Sequence, residues 1–322
     1  MPREIPYIQA INEAITEEMQ RDPSVVFYGQ NIALTDEDPM VKAFGRQRVR
    51  VTPISETAEM GMAVGTALVG LRPVVELLMT DFMLVGLDQV LNEAARMRFK
   101  SGGQVTMPIV FKAGYGFAAG WSVQHTNCWY TLFLGAPGLK VVAPSTAADA
   151  KGLMKAAIRD DNPVVYLHHY MLTLVPGEVP DGDYVIPFGK AQVVREGRDI
   201  SIFAHSRMTL TALEAADKLA EEGISAEVID PRSLMPLDKE TILESVKRTH
   251  RAVIVHEAVE RGGVANWIAS LIQEEVFDYL DAPIGRVAGA EVPMPYSKPL
   301  ERAAIPSAAT IVTKAKQILN VR

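Results

Sequence analysis

The sequence predicts an α/β protein built from two doubly wound domains, and three observations carry that expectation. Short runs rich in β-branched residues alternate with helical patterns of about 12 residues, the pattern of parallel strands covered on both faces. The alternation stops at a Pro- and Gly-rich stretch, residues 174–188, and then restarts. The chain's 322 residues also exceed what a single hydrophobic core ordinarily serves. The expected division is therefore 1–173 for a first domain, 174–188 for a linker and 189–322 for a second, smaller domain.

The elements follow in order. Residues 5–21 place apolar groups at helical spacing, with acidic and amide groups outside. Val25–Gly29 reads as a short buried strand ending in glycine, and polar, irregular sequence runs from Asn31 to Gln47. A helix starting near Glu56 and a strand over 73–79 come next, then a helical pattern over 87–99. Strands are expected at 108–113, 139–144 and 163–167, with a Ser-capped helix over 145–159 between the last two. In the second domain the predicted order is strand 199–204, helix 208–222, strand 226–230, helix 238–247, strand 251–255 and helix 263–278.

Composition excludes several function classes. A net charge of −7 without any Lys/Arg cluster leaves no electrostatic footprint for nucleic acid. A lone cysteine, Cys128, excludes a disulfide framework and a cysteine-rich metal site. The start of the chain has no apolar signal core, and no apolar run approaches the roughly 18 residues a membrane span needs. The expectation is a soluble cytoplasmic protein with no nucleic-acid and no membrane partner.

Thr52-Pro53-Ile54-Ser55-Glu56 is the most informative stretch. Glu56 follows an extended proline dipeptide and opens an apolar segment rich in small residues: Gly61, Ala63, Gly65, Ala67 and Gly70. Glu56 and Glu59 suit a helix start, where an anion is worth about 0.3–1 kcal/mol. The small residues suit a helix packed in an interior or a subunit interface, so Glu56 stands at the edge of a dry region. It reads either as a helix cap or as a carboxylate that meets a ligand.

Gly114-Tyr115-Gly116-Phe117-Ala118-Ala119-Gly120 follows a strand but departs from the dinucleotide spacing G-x-G-x-x-G. Gly114 and Tyr115 still bring backbone and an aromatic wall close to whatever binds beside them. His125 lies just beyond, at the exit of a strand–glycine loop, where α/β sheets place ligands. It reads as structural or catalytic. Cys128 reads as a buried small residue. His168 and His169, adjacent on a strand, point to opposite faces and cannot easily share a metal. His256-Glu257 is not part of a zinc motif. One suggestive Glu and one suggestive His do not complete an active site, so the missing half is expected on another chain.

A longer set of segments carries a resemblance. Thr52–Glu56, Leu71–Glu76, Asp88–Ala95, Ser101–Gly103, Gln124-His125, Pro137–Val142, Asp149–Leu153, Asp160–Pro163, Asp230–Asp238, His256-Glu257 and Val292–Tyr296 occur in one order over nearly the whole chain. In that order they closely resemble the beta subunit of the thiamine-diphosphate-dependent, decarboxylating first component of 2-oxo acid dehydrogenase complexes. Members act on pyruvate, branched-chain 2-oxo acids or acetoin. The resemblance implies a pyrimidine-type thiamine-diphosphate-binding fold followed by a transketolase C-terminal-like domain.

It also implies roles. Glu56 would hydrogen-bond the aminopyrimidine ring nitrogen, Phe82 would stack on the pyrimidine, and His125 would assist acyl transfer to a lipoyl group. Gly114 and Tyr115 would border the cofactor. Ile109, Ala157, Asp160 and Asn162 match positions where some relatives hold potassium, largely through backbone oxygens. An alpha chain would supply the Mg2+ and diphosphate site in a two-alpha, two-beta assembly, and a lipoyl acyltransferase would accept the product. Three residues depart from the family's habit: Gln30 and Asn31 stand where relatives carry acids after Gly29, and His168 where they tend to have Glu. A split transketolase-like carboligase is the alternative enzyme, and a non-catalytic assembly subunit the alternative class.

Overall fold

The computed structural model describes residues 3–30, 32, 34–117 and 120–321. Asn31 and the Ala118-Ala119 part of the glycine loop lie outside them. The chain forms two compact units: residues 1–115 with 132–188, and residues 116–131 with 189–322. Segment 116–131 thus groups with the second unit. Its ties are specific: the Phe117 N–H donates to the Glu257 carboxylate, and Cys128 Sγ lies 4.0 Å from it.

The first unit begins with β1 (Arg3–Pro6), α1 (Tyr7–Arg21), β2 (Val25–Gly29), α2 (Pro39–Phe44), β3 (Val49–Val51) and α3 (Glu56–Leu68). It continues with β4 (Arg72–Met79), α4 (Thr80–Met83), α5 (Ala95–Lys100), β5 (Val110–Tyr115), α6 (Tyr130–Leu134), β6 (Lys140–Val142), α7 (Ala147–Arg159), β7 (Val164–His169) and β8 (Pro176–Val179). Within this unit the main sheet runs β6-β7-β5-β4-β2-β3, with every pairing parallel. A sheet buried on both faces takes unbroken apolar strands, and Val110, Phe111, Val164, Val165, Tyr166 and Leu167 are all buried. Residues 174–188 are more than a connector, because β8 pairs antiparallel with β1, Arg3 opposite Val179. The pattern over 87–99 forms a π-helical stretch, Gln89–Ala94, that runs into α5.

Helix α3 starts where the proline dipeptide ends, with Glu56 and Glu59 in its first turn. Glu56, Glu59, Met60, Ala63, Val64 and Ala67 form its buried side. Its other side leaves Met62, Leu68 and the following Val69 exposed, so the helix is only half covered by its own unit.

The second unit holds β9 (Gln192–Arg195), β10 (Ile200–Ala204), α8 (Arg207–Glu221), β11 (Ala226–Asp230), β12 (Ser233–Met235), α9 (Lys239–Thr249), β13 (Ala252–Val259), α10 (Ala265–Val276), β14 (Gly285–Gly289), α11 (Lys298–Ala304) and α12 (Ala308–Leu319). Its sheet runs β14-β13-β10-β11-β9, parallel except for β9. Ile200, Ile202, Val228, Val253 and Val255 pack there against Leu219 of α8 and Ile311 of α12. Among the described residues no helix is long and apolar enough to cross a membrane.

Candidate active site

In the first unit the chain leaves β2 toward β3 on one side, and leaves β4 toward β5 on the other. The carboxyl ends of β2 and β4 therefore flank a switch point, where open α/β sheets bind ligands. Gly29 is the last residue of β2 and lies opposite Glu76 of β4. A Cβ on Gly29 would stand 2.2 Å from the Glu76 carbonyl oxygen, and its φ is +153°. Only glycine lets the two strands approach this closely.

Gln30 follows immediately and is buried, with 2% of its surface exposed. Its Nε2 donates to Glu56 Oε1 at 3.3 Å and to Glu59 Oε2 at 3.0 Å. Thr52 Oγ1 donates to the other oxygen of Glu59 at 2.5 Å. Glu56 is 8% exposed, and its Oε2 accepts no hydrogen bond among the described residues. A buried carboxyl group with one oxygen held and one open can take a ligand's hydrogen bond or share a proton with it.

Two more features shape this end of the sheet. The β4–β5 register shifts between Glu76 and Met79, and Leu78 adopts φ 51°, which is unusual for a branched side chain. The bulge redirects the chain into α4, which presents the half-buried Phe82. Gly86 then packs against the first turn of α3, where an added Cβ would lie 3.1 Å from the Glu56 carbonyl oxygen. Gly114 pairs with His168 and Tyr115 with His169. The Tyr115 ring meets the His169 ring edge-on at 5.3 Å, and His169 Nδ1 accepts from the Met171 N–H.

One ion pair is buried in this part of the sheet. The buried Lys112 ammonium is bonded to the Glu76 carboxylate. His168 is buried with Nδ1 unpartnered among the described residues, and burial, with the Lys112 charge adding to it, holds the imidazole well below its ordinary pKa. A neutral imidazole thus stands at the end of β7.

Of the residues singled out in the sequence, Glu56, Phe82, Gly114 and Tyr115 all sit at carboxyl ends of this sheet or on the helices that follow them. His125 is half-buried in segment 116–131 of the second unit, its N–H donating to the Ser122 carbonyl at 3.4 Å. Cys128 is half-buried rather than buried. Ile109, Ala157, Asp160 and Asn162 surround the α7–β7 turn. The Ile109 carbonyl accepts from the Val164 N–H at 2.8 Å and the Asp160 carbonyl from Arg72 at 3.1 Å, while Lys140 bonds the Asp160 carboxylate. No cluster of three or more His, Cys, Asp or Glu able to hold a metal ion occurs among the described residues.

Sequence reading did not anticipate the Thr52–Glu59–Gln30–Glu56 chain of bonds. Its one local signal was the Glu56/Glu59 spacing, which places both carboxylates on one helix face. That Gln30 reaches both is a product of the sheet.

Family models match two stretches of the sequence: "Transketolase, pyrimidine binding domain" over residues 3–173, and "Transketolase, C-terminal domain" over residues 189–311. The chain is 44% identical to a mitochondrial pyruvate dehydrogenase E1 component subunit beta-2 of Oryza sativa subsp. japonica, covering 98% of this chain and 86% of that one. It is also 44% identical to the beta subunit of an acetoin:2,6-dichlorophenolindophenol oxidoreductase of Cupriavidus necator, covering 99% of each. Among solved structures, a split gene transketolase described as an inactive beta4 tetramer superposes with a TM-score of 0.83 at 26% identity, covering 98% of this chain and 99% of that chain.

Proposed function

Since the chain belongs to the family of E1-component beta subunits, built from a transketolase pyrimidine-binding and a transketolase C-terminal domain, we propose that it is the beta subunit of a thiamine-diphosphate-dependent 2-oxo acid or acetoin dehydrogenase. It works with an alpha subunit and delivers its acyl product to a lipoyl acyltransferase. The observation that carries this reading is the buried Glu56 carboxyl group at the switch point, with one oxygen held by Gln30 and the other open.

Thiamine diphosphate, when bound, supplies the carbon nucleophile and electron sink for decarboxylation. This chain's residues bind and orient its aminopyrimidine half. The open oxygen of Glu56 would share a proton with the ring nitrogen, Phe82 would cover the ring face, and the backbone at Gly114 and Tyr115 would border it. His125, in the second unit, would hold or give up a proton during acyl transfer. Mg2+ and the diphosphate belong to the alpha chain. The exposed Met62 and Leu68 of α3, with Val69 just after it, are apolar surface suited to a subunit interface in a two-alpha, two-beta assembly. A bound potassium ion at Ile109, Ala157, Asp160 and Asn162 is part of the proposal, since each carbonyl keeps a second lone pair. So is a reducing, cytoplasmic setting.

The split-transketolase reading is weaker, because identity to that structure is 26% against 44% for the dehydrogenase beta subunits. The test is thiamine-diphosphate-dependent reduction of an artificial electron acceptor by this chain co-purified with its alpha partner. Pyruvate, branched-chain 2-oxo acids and acetoin form the panel. Turnover of one of them supports the proposal. Two-carbon transfer between sugar phosphates, with no turnover on the panel, overturns it.

A further inference from the structure

We propose that Gln30 is a positioning residue for Glu56, and that Glu59 and Thr52 exist in this chain to hold the Gln30 amide in place. The inference rests on the role proposed for Glu56. Its basis is the geometry of four side chains gathered from three separate segments.

Glu56 and Glu59 lie three residues apart in the first turn of α3, on one face, and both are buried. Two carboxylates this close repel each other unless hydrogen-bond donors stand between them. Gln30 supplies both donors from one nitrogen, with Nε2 at 3.3 Å from Glu56 Oε1 and 3.0 Å from Glu59 Oε2. The amide has one permissible orientation. Reversed, it would present Oε1 to two carboxylates and leave three acceptors facing one another.

The support is equally specific. Thr52 Oγ1 donates to Glu59 Oε1 at 2.5 Å, so both Glu59 oxygens are engaged and that carboxylate acts as an anchor. The backbone under Gln30 is tied as well. Its N–H donates to the Glu76 carbonyl at 3.3 Å, and the Thr52 N–H donates to the Gly29 carbonyl at 3.0 Å. The ends of β2, β3 and β4 thus hold Thr52 and Gln30 rigidly, and Gln30 holds one oxygen of Glu56. The other oxygen is left aimed for a ligand. An amide at position 30 does this without adding a third negative charge, which an acid there would bring.

The test uses the alpha–beta complex with three single variants: Gln30→Met, Gln30→Glu and Glu59→Gln. Thiamine diphosphate affinity is read by tryptophan fluorescence without substrate, and kcat and KM for the oxo acid are read separately. Loss of a hydrogen bond to a charged group predicts a ten- to hundredfold fall in cofactor affinity and in kcat for Gln30→Met, with little change in KM. Gln30→Glu, which keeps the shape but removes the donor, should lose as much. Glu59→Gln should lose less, because the Gln30 amide still donates to Glu56. Wild-type cofactor affinity and kcat in both Gln30 variants would overturn the inference, as would wild-type values in Glu59→Gln, since Gln30 would then need no anchor. Glu56→Gln in the same assay separates the two readings. If it is inactive while the Gln30 variants are not, only the positioning role fails. If it is fully active, the role of Glu56 itself fails.

Discussion

Lys112 of β5 and Glu76 of β4 stand opposite each other in register and form an ion pair buried in the sheet, with 2% and 8% of their surfaces exposed. Gly29 lies opposite Glu76 on its other side, so the pair sits directly beneath the β2–β4 switch point. The Lys112 charge also bears on His168, which burial keeps neutral. Removing one partner strands the other. Lys112→Met should destabilise the chain by about 3–5 kcal/mol, because Glu76 is left as a buried unpaired charge. Adding Glu76→Gln to that variant should recover much of the loss. Denaturant midpoints of the single and double variants check this, and additive losses would refute it.

Glu56→Gln should abolish turnover with the artificial electron acceptor while leaving assembly with the alpha chain and the thermal midpoint near wild type. An amide at that position no longer shares a proton with a ring nitrogen. Kinetics and size-exclusion chromatography on the same preparation decide the matter, and wild-type turnover would end the proposed role.

Stability should fall as pH drops from about 6.5 to 4. Burial, with the charge of Arg286 adding to it, pushes the fully buried His256 imidazole down to about 4. The unfolded chain takes up a proton below roughly pH 6.5 that the folded chain refuses. The contribution is thus complete above that pH and lost as pH falls through the folded value, amounting to roughly 3 kcal/mol. His168 acts in the same direction. His256→Gln should make the dependence of unfolding free energy on pH shallower by up to one proton in this window. An unchanged slope would exclude His256 as a source.

Gly29→Ala should cost roughly 1–3 kcal/mol by overpacking, since its Cβ would fall 2.2 Å from the Glu76 carbonyl oxygen. It should also weaken thiamine diphosphate binding, because Gln30 moves with the end of β2. A variant with wild-type stability and affinity would show that β2 and β4 can separate without disturbing the site.

Much of this architecture was legible in the chain. Val25–Gly29, the run ending at Met79 and the strand before Tyr115 were readable because strands buried on both faces must be nearly uniformly apolar. The start of α3 was readable from its proline dipeptide and acidic first turn. The helical pattern over 87–99 gave no hint of its π-helical part, because apolar periodicity does not report a one-residue change in hydrogen-bond register. Residues 174–188 read as the linker candidate, and β8 within them was not legible, since a short edge strand is defined by its partner β1 and not by its own composition.

By itself the sequence determined the alternation of elements and the place of Glu56 at a helix start, both of which depend on neighbours along the chain. Tertiary structure alone decided that Gln30, Thr52, Glu56 and Glu59 form one hydrogen-bonded chain, that Lys112 answers Glu76, and that residues 116–131 belong with Glu257. Those relationships join residues up to 140 positions apart. They arise because the sheet sets its strand ends side by side, and an unmet buried donor or charge costs too much to leave in place.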